Sequence, residues 1–140
     1  MVQKYKMINL LDILQDDATQ INKDFVSYYQ NIHGVTIPIE VQKIISSYDE
    51  IISFNNEKYM LKSPEKWCDF LDFFGFDFNE TGIIPLLSFN EYETELVCYD
   101  PKEKEYFFKE LGLGTESDGY KSIIELLNNK RKIINGKEKK

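Results

Sequence analysis

The stretch that decides the fold is residues 82–108, GIIPLLSFNEYETELVCYDPKEKEYFF. Two polar turns, NEYET and DPKEKE, separate three runs that are rich in β-branched, aliphatic and aromatic residues. Short apolar runs bounded by such turns are typical of antiparallel strands joined by hairpins. The pattern therefore predicts two or three strands here, at the centre of the sheet.

Outside this stretch, apolar side chains recur at the three- and four-residue spacing of amphipathic helices. The predicted helices cover residues 7–14, 21–33, 36–48, 63–74 and 120–132. Residues 50–61, EIISFNNEKYML, predict a β-hairpin with Asn55-Asn56 at its turn. Helices and antiparallel strands are segregated along the chain, which favours an α+β fold. We expect one domain over residues 1–140, with an antiparallel-rich sheet of about four to six strands packed against helices.

Local signals predict where several helices begin and end. Gly34 predicts the end of the second helix, where His33 is expected to interact with the last carbonyls and the negative end of the dipole. Pro38 suits the first turn of the next helix. Ser117 or Asp118 is expected to cap the last helix.

The charge of the chain is uneven. The net charge is −7, and residues 130–140 contribute six basic side chains against one acid, or +5, which leaves −12 on the rest. An acidic body repels nucleic acid and membrane phosphates and favours a basic protein partner. The tail, residues 129–140, is predicted to be a solvated helix end followed by a frayed terminus.

Composition also indicates a compartment. No apolar run approaches the roughly 18 residues that a membrane helix needs. The start of the chain has the spacing of an amphipathic helix and lacks a cleavage site, so we expect a soluble, cytoplasmic protein. Cys68 and Cys98 are accordingly predicted to be reduced, buried thiols.

The residues that usually carry chemistry are sparse. His33 is the only histidine, which disfavours zinc binding and most histidine-assisted nucleophilic catalysis. The segment GTESDGYKS (114–122) departs from a phosphate-binding loop because Tyr120 separates the second glycine from Lys121. The segment DFNETGI (77–83) begins like a calcium loop, but Ser88 stands where the bidentate glutamate belongs. We therefore predict no metal and no cofactor.

Four motifs along the chain resemble those of one protein group. They are IPIEVQKIISSYDE (37–50), EIISFNNEKYMLKSPEKW (50–67), the stretch 82–108 and YKSIIELL (120–127). Their order and residue classes over about residues 20–128 resemble the SUKH superfamily, which includes yeast cell-wall assembly regulators and many bacterial immunity proteins. One departure is that this chain has SYDEII where family members often carry a glycine pair, so the turn near Asp49 and Glu50 must be made differently.

The resemblance implies an α+β domain without catalytic machinery that binds and neutralises a cognate bacterial toxin, often a nuclease. Such a toxin needs a basic active site to hold phosphates, which fits an acidic partner. The turn after the first strand of the 82–108 stretch is the preferred partner-binding site. A second acidic group is the other candidate. The turn site comprises Glu91, Tyr92, Glu93 and Glu95, and the second group comprises Asp69, Asp72, Asp77 and Glu80.

Two alternatives stay open. The same fold could act as a general interaction scaffold or regulator with no toxin involved. The abundance of carboxylates also leaves a carboxylate-dependent hydrolase as an enzyme-class hypothesis, although the sequence does not bring a second carboxylate opposite Asp69 or Asp72.

Overall fold

The computed structural model describes residues 7–16, 21–34, 36–60, 83–89, 95–110 and 116–130, except the side chains of Ile32 and His33. The predicted helix at 63–74 lies outside these residues, as do Cys68 and the tail from residue 131 onward. The described elements are β1 (Met7–Asn9), α1 (Leu10–Gln15), α2 (Lys23–His33), α3 (Ile39–Ile45), β2 (Ile51–Phe54), β3 (Glu57–Tyr59), β4 (Ile84–Ser88), β5 (Glu95–Asp100), β6 (Glu105–Glu110) and α4 (Ile123–Asn128).

The described strands form two three-stranded sheets. The first has the order β1-β2-β3, in which β1 is parallel to β2 and β3 is antiparallel to it. The turn between β2 and β3 has positive φ at both Asn55 and Asn56, 50° and 64°, which is the signature of a type I′ hairpin turn. The predicted hairpin is therefore confirmed.

The second sheet is the antiparallel meander β4-β5-β6, and it contains the predicted central strands. Backbone bridges from Tyr106 to Tyr120 and from Lys109 to Glu116 lay the segment before α4 along the free side of β6. Every residue of β4 is buried, and so are the four middle residues of β5. Residue patterns of this kind indicate a sheet that is covered on both faces.

Helix ends follow the expected chemistry with three differences. Gly34 ends α2 in the left-handed conformation, at φ 62°, as predicted. Pro38 is the residue before α3, one position earlier than predicted. The prediction for the last helix was wrong, because its N-cap is Ser122, whose hydroxyl accepts hydrogen bonds from the N–H groups of Ile124 and Glu125.

The third difference is at the start of the chain. The sequence predicts a helix from Met7, but residues 7–9 pair with β2 as a strand. The Asn9 side chain accepts a hydrogen bond from the N–H of Leu11 over 2.9 Å and so begins the helix at Leu10. Met7 consequently lies exposed at the edge of the first sheet instead of on the buried helix face.

The turn between α3 and β2 is built around Asp49 and contains no glycine. Asp49 has φ 71°, in the left-handed region. Aspartate tolerates this conformation better than most residues because its short polar side chain can hydrogen-bond locally. The N–H of Glu50 donates to the carbonyl of Ser47 and completes the turn.

One hydrophobic cluster contains residues of both sheets and all four described helices. The buried face of α3, formed by Val41, Ile44 and Ile45, belongs to it and was predicted from the spacing. The α+β class is confirmed, with the described strands divided between two sheets instead of joined in one. Among the described residues, no helix has both the length and the apolar character needed to cross a membrane.

Candidate functional site

The predicted partner-binding turn is described only at its last residue. Glu91, Tyr92 and Glu93 lie outside the described residues, whereas Glu95 is the half-buried first residue of β5. The carbonyl of Glu95 accepts a hydrogen bond from the N–H of Phe89 over 2.7 Å, which closes the β4–β5 hairpin. Glu95 is thus a strand residue at the edge of the turn.

The second predicted acidic group also lies outside the described residues. It consists of Asp69, Asp72, Asp77 and Glu80. Both partner sites therefore remain predictions, and the structure adds a third acidic location at the opposite end of the second sheet.

This location is built around Glu40 in the first turn of α3. The hydroxyl of Tyr106, at the start of β6, donates a hydrogen bond to Glu40 Oε2 over 3.0 Å. The Tyr106 ring packs against that of Tyr99 on β5, with centroids 4.9 Å apart and an angle of 55° between the rings. Both tyrosines are almost completely buried, and the Tyr106 hydroxyl holds the carboxylate of Glu40 through this hydrogen bond.

The β5–β6 turn places two more carboxylates one step along the same strand ladder. Asp100 and Glu105 are directly opposite each other. Asp100 Oδ1 accepts hydrogen bonds from the N–H groups of Lys102 and Glu103, while the N–H of Lys104 donates to the Asp100 carbonyl over 2.8 Å. This is a compact turn whose conformation is held by its own first residue.

Lys121 provides partial charge compensation at this end of the sheet. Its ammonium lies 3.7 Å from Glu105 Oε2, and the Lys121 side chain is largely exposed. A pair of this kind contributes little stability because water screens it. The four residues Ile39, Glu40, Asp100 and Glu105 share this end of the second sheet by position, and together they are called the Glu40 surface.

Burial and nearby carboxylates raise the pKa of Tyr99 and of Tyr106. Burial is the main cause of the raised pKa of Tyr106, and Glu40 adds to it through its charge and the hydrogen bond. Burial, Asp100 and Glu40 likewise raise the pKa of Tyr99. Both hydroxyls therefore stay protonated at neutral pH, and that of Tyr106 serves as a donor to the carboxylate.

The Glu40 surface also has an apolar component. Ile39, next to Glu40 in the chain, is 58% exposed and has the largest exposed fraction of the big hydrophobic side chains among the described residues. An exposed aliphatic side chain that precedes a carboxylate held by a buried tyrosine is a combination suited to contact with a protein.

Sequence reasoning did not select this surface. The symmetric segment YDPKEKEY (99–106) was a usable signal, since pairing across its turn places Tyr99 opposite Tyr106 and Asp100 opposite Glu105. Strand pairing within this segment could not predict that Glu40 accepts a hydrogen bond from Tyr106. Glu40 is 66 positions from Tyr106 in sequence and reaches it only through packing of α3.

The side chains that most often act as nucleophiles or metal ligands do not form a reactive site among the described residues. Cys98 is a buried free thiol, as predicted, and burial raises its pKa, which disfavours the reactive thiolate. In the part of the chain that the structure describes, no three His, Cys, Asp or Glu side chains converge in a way that could hold a metal ion. The side chain of His33, with its predicted capping role, lies outside that part.

Comparison of the chain with protein-family models, curated proteins and solved structures gave no match.

Proposed function

We propose that this chain is a non-catalytic protein-binding domain of the immunity type, which binds and neutralises a toxin with a basic surface in the cytoplasm. The sequence motifs that resemble the SUKH superfamily motivate the class of function. The observation that carries a binding role is the Glu40 surface, where the exposed Ile39 precedes Glu40, whose carboxylate is held by the buried Tyr106.

Electrostatics support a basic partner. Residues 1–129 carry −12, since the net charge is −7 and residues 130–140 contribute +5. A field of this sign steers positively charged proteins and accelerates their association, and salt weakens the effect. A nuclease has such a positive surface because its substrate is a polyanion.

The hydrogen bond from Tyr106 orders the Glu40 side chain for binding. The hydrogen bond from Tyr106 limits the rotamers of Glu40 before any partner arrives. A carboxylate that is already ordered loses less conformational entropy when a lysine or arginine binds to it. Ile39 would then supply apolar area beside the ion pair.

The test is a co-expression rescue. The product of the gene adjacent to this one is induced in bacteria with and without this protein, and growth and co-purification are measured. Restored growth together with a purified one-to-one complex supports the proposal. Toxicity that this protein does not relieve, or an adjacent product without toxicity, contradicts it and favours the general scaffold.

Charge-neutralising variants then locate the interface. Glu40→Gln and Glu105→Gln remove charge from the Glu40 surface, Glu91→Gln and Glu93→Gln remove it from the predicted turn, and Asp24→Asn on α2 is the control. We expect each variant of the first pair to weaken the complex about fivefold, and the two together about thirtyfold, if each lost ion pair costs about 1 kcal/mol. An unchanged affinity for that pair with a loss for the turn pair would move the interface to residues 91–95.

A further inference from the structure

A second group of side chains surrounds the ammonium of Lys130. Its Nζ lies 4.9 Å from the ring centroid of Tyr59 and 4.8 Å from that of Phe89. Glu57 Oε2 lies 3.5 Å from the same nitrogen. Two aromatic rings and one carboxylate therefore contact a single cation.

The rings come from the two sheets. Tyr59 ends β3, Phe89 follows β4, and their centroids are 5.7 Å apart at an angle of 48°. Phe89 also stacks on Phe108 of β6, with centroids 5.3 Å apart and 29° between the planes. Packing thus fixes both rings independently of Lys130.

The chemistry of this arrangement suits an alkylammonium group. The negative faces of aromatic rings attract cations within about 6 Å of the centroid, most strongly when the cation is desolvated. The side chain of Lys130 is only 20% exposed, whereas that of Glu57 is 58% exposed. The Glu57 carboxylate is therefore the solvent-accessible part of this group.

Lys130 reaches the rings from a position just after α4. It follows Asn129, the C-cap of α4, so it lies beyond the last residue of the helix. Its contacts with the site are non-covalent, and each is of modest strength. The contacts of Phe89 with Tyr59 and Phe108 do not involve Lys130, so an ammonium that took its place would meet the same ring faces.

We infer that Tyr59, Phe89 and Glu57 form a binding site for a lysine side chain of a partner protein, and that Lys130 occupies the site when no partner is bound. A lysine is the expected ligand because Lys130, which lies between the rings, is itself a primary ammonium on a flexible aliphatic stem. The site uses no residue of the Glu40 surface, and the inference does not depend on the proposed neutralisation of a toxin.

The experiment is a titration of the full chain with the peptide acetyl-Gly-Lys-Gly-amide, followed through aromatic ring signals by NMR. Wild-type protein is compared with Lys130→Ala, which vacates the site, and with Lys130→Gln, which keeps most of the stem but removes the charge. Lys102→Ala, in the exposed β5–β6 turn, is the matched control. The same peptide with norleucine in place of lysine tests the need for the ammonium.

We expect Lys130→Ala and Lys130→Gln to bind the lysine peptide at least about fivefold more tightly than wild type, as loss of a competing cation–π contact implies. The shifts should involve Tyr59 and Phe89, and adding Glu57→Gln to Lys130→Ala should reverse most of the gain. Equal affinities of wild type and both Lys130 variants would overturn the inference. So would equal binding of the norleucine peptide, or shifts that leave Tyr59 and Phe89 unaffected.

Discussion

The hydroxyl of Tyr106 donates a hydrogen bond to the carboxylate of Glu40 over 3.0 Å and joins the second sheet to the first turn of α3. The bond is partly buried, and the Tyr106 side chain is almost completely buried. The same contact therefore contributes to stability and orders a carboxylate at the protein surface.

A double-mutant cycle on this pair should show coupling. Tyr106→Phe is expected to lower the free energy of unfolding by about 1.5 kcal/mol, since a hydrogen bond to a charged group is lost. Glu40→Ala removes the same bond, so the double variant should lose less than the sum of the single variants by about 1 kcal/mol. Urea denaturation of the four proteins measures this coupling. Strictly additive losses would show that the hydrogen bond makes no net contribution.

The buried pair Tyr29 and Tyr48 should make the protein sensitive to alkali. Their hydroxyls are 2.9 Å apart, and that of Tyr48 also donates to the carbonyl of Pro85. Burial raises the pKa of both tyrosines above the ordinary value of 10.0. The folded state then binds more protons than the unfolded state above pH 10, so stability is fully present below that pH and falls as the pH rises through and beyond it.

The variant Tyr48→Phe isolates this effect. It should lower stability at pH 8 by removing hydrogen bonds, yet it should reduce the stability lost per pH unit by an amount that rises from about 0.7 kcal/mol at pH 10 towards about 1.4 kcal/mol at pH 11.5. Phe54→Leu, a core change without a titrating group, should leave that slope as in wild type. Chemical denaturation between pH 8 and 11.5 provides the values, and equal slopes for wild type and Tyr48→Phe would contradict the assignment.

The β2–β3 turn should respond in opposite directions to two small substitutions. Asn56 has φ 64°, which glycine adopts without steric cost and alanine does not. We expect Asn56→Gly to stabilise the protein by about 0.5 kcal/mol and Asn56→Ala to destabilise it by about 1 kcal/mol. Thermal unfolding compares the two variants directly. A more stable alanine variant would be inconsistent with a type I′ turn.

The thiol of Cys98 should be protected from alkylation in the native protein. It is buried in the middle of β5, and burial raises its pKa, so both access and thiolate formation are disfavoured. We expect iodoacetamide at pH 8 to label Cys98 only after denaturant is added. Mass spectrometry of the peptide that contains Cys98 distinguishes it from Cys68. Labelling under native conditions at the rate of a free thiol would refute this expectation.

The sequence was informative where local chemistry decides the outcome. The hairpin turn at Asn55-Asn56, the end of α2 at Gly34 and the buried face of α3 were all predicted, because each depends on residues a few positions apart. The strands of the 82–108 stretch were also predicted from their apolar runs and turns. The N-cap of α4 was misassigned because the backbone bridges that hold residues 116–120 against β6 postpone the helix to Ile123.

The partner-binding residues were harder to predict from the sequence than the secondary structure was. Acidic residues in a predicted turn mark that turn as exposed, but such residues are common on any solvated surface. Of the eight predicted partner residues, only Glu95 lies within the described part of the chain, and it is a strand residue there.

The sequence alone therefore determined the α+β class, the strand-forming stretch and the acidic balance of the chain, since these follow from periodicity, turn residues and composition. Tertiary structure decided that β1 pairs in parallel with β2, that the described strands divide into two sheets and that Glu40 meets Tyr106. It also placed Lys130 between Tyr59 and Phe89. The physical reason is the same in each case: these contacts join residues far apart in the chain, and only packing of a shared core brings them within reach.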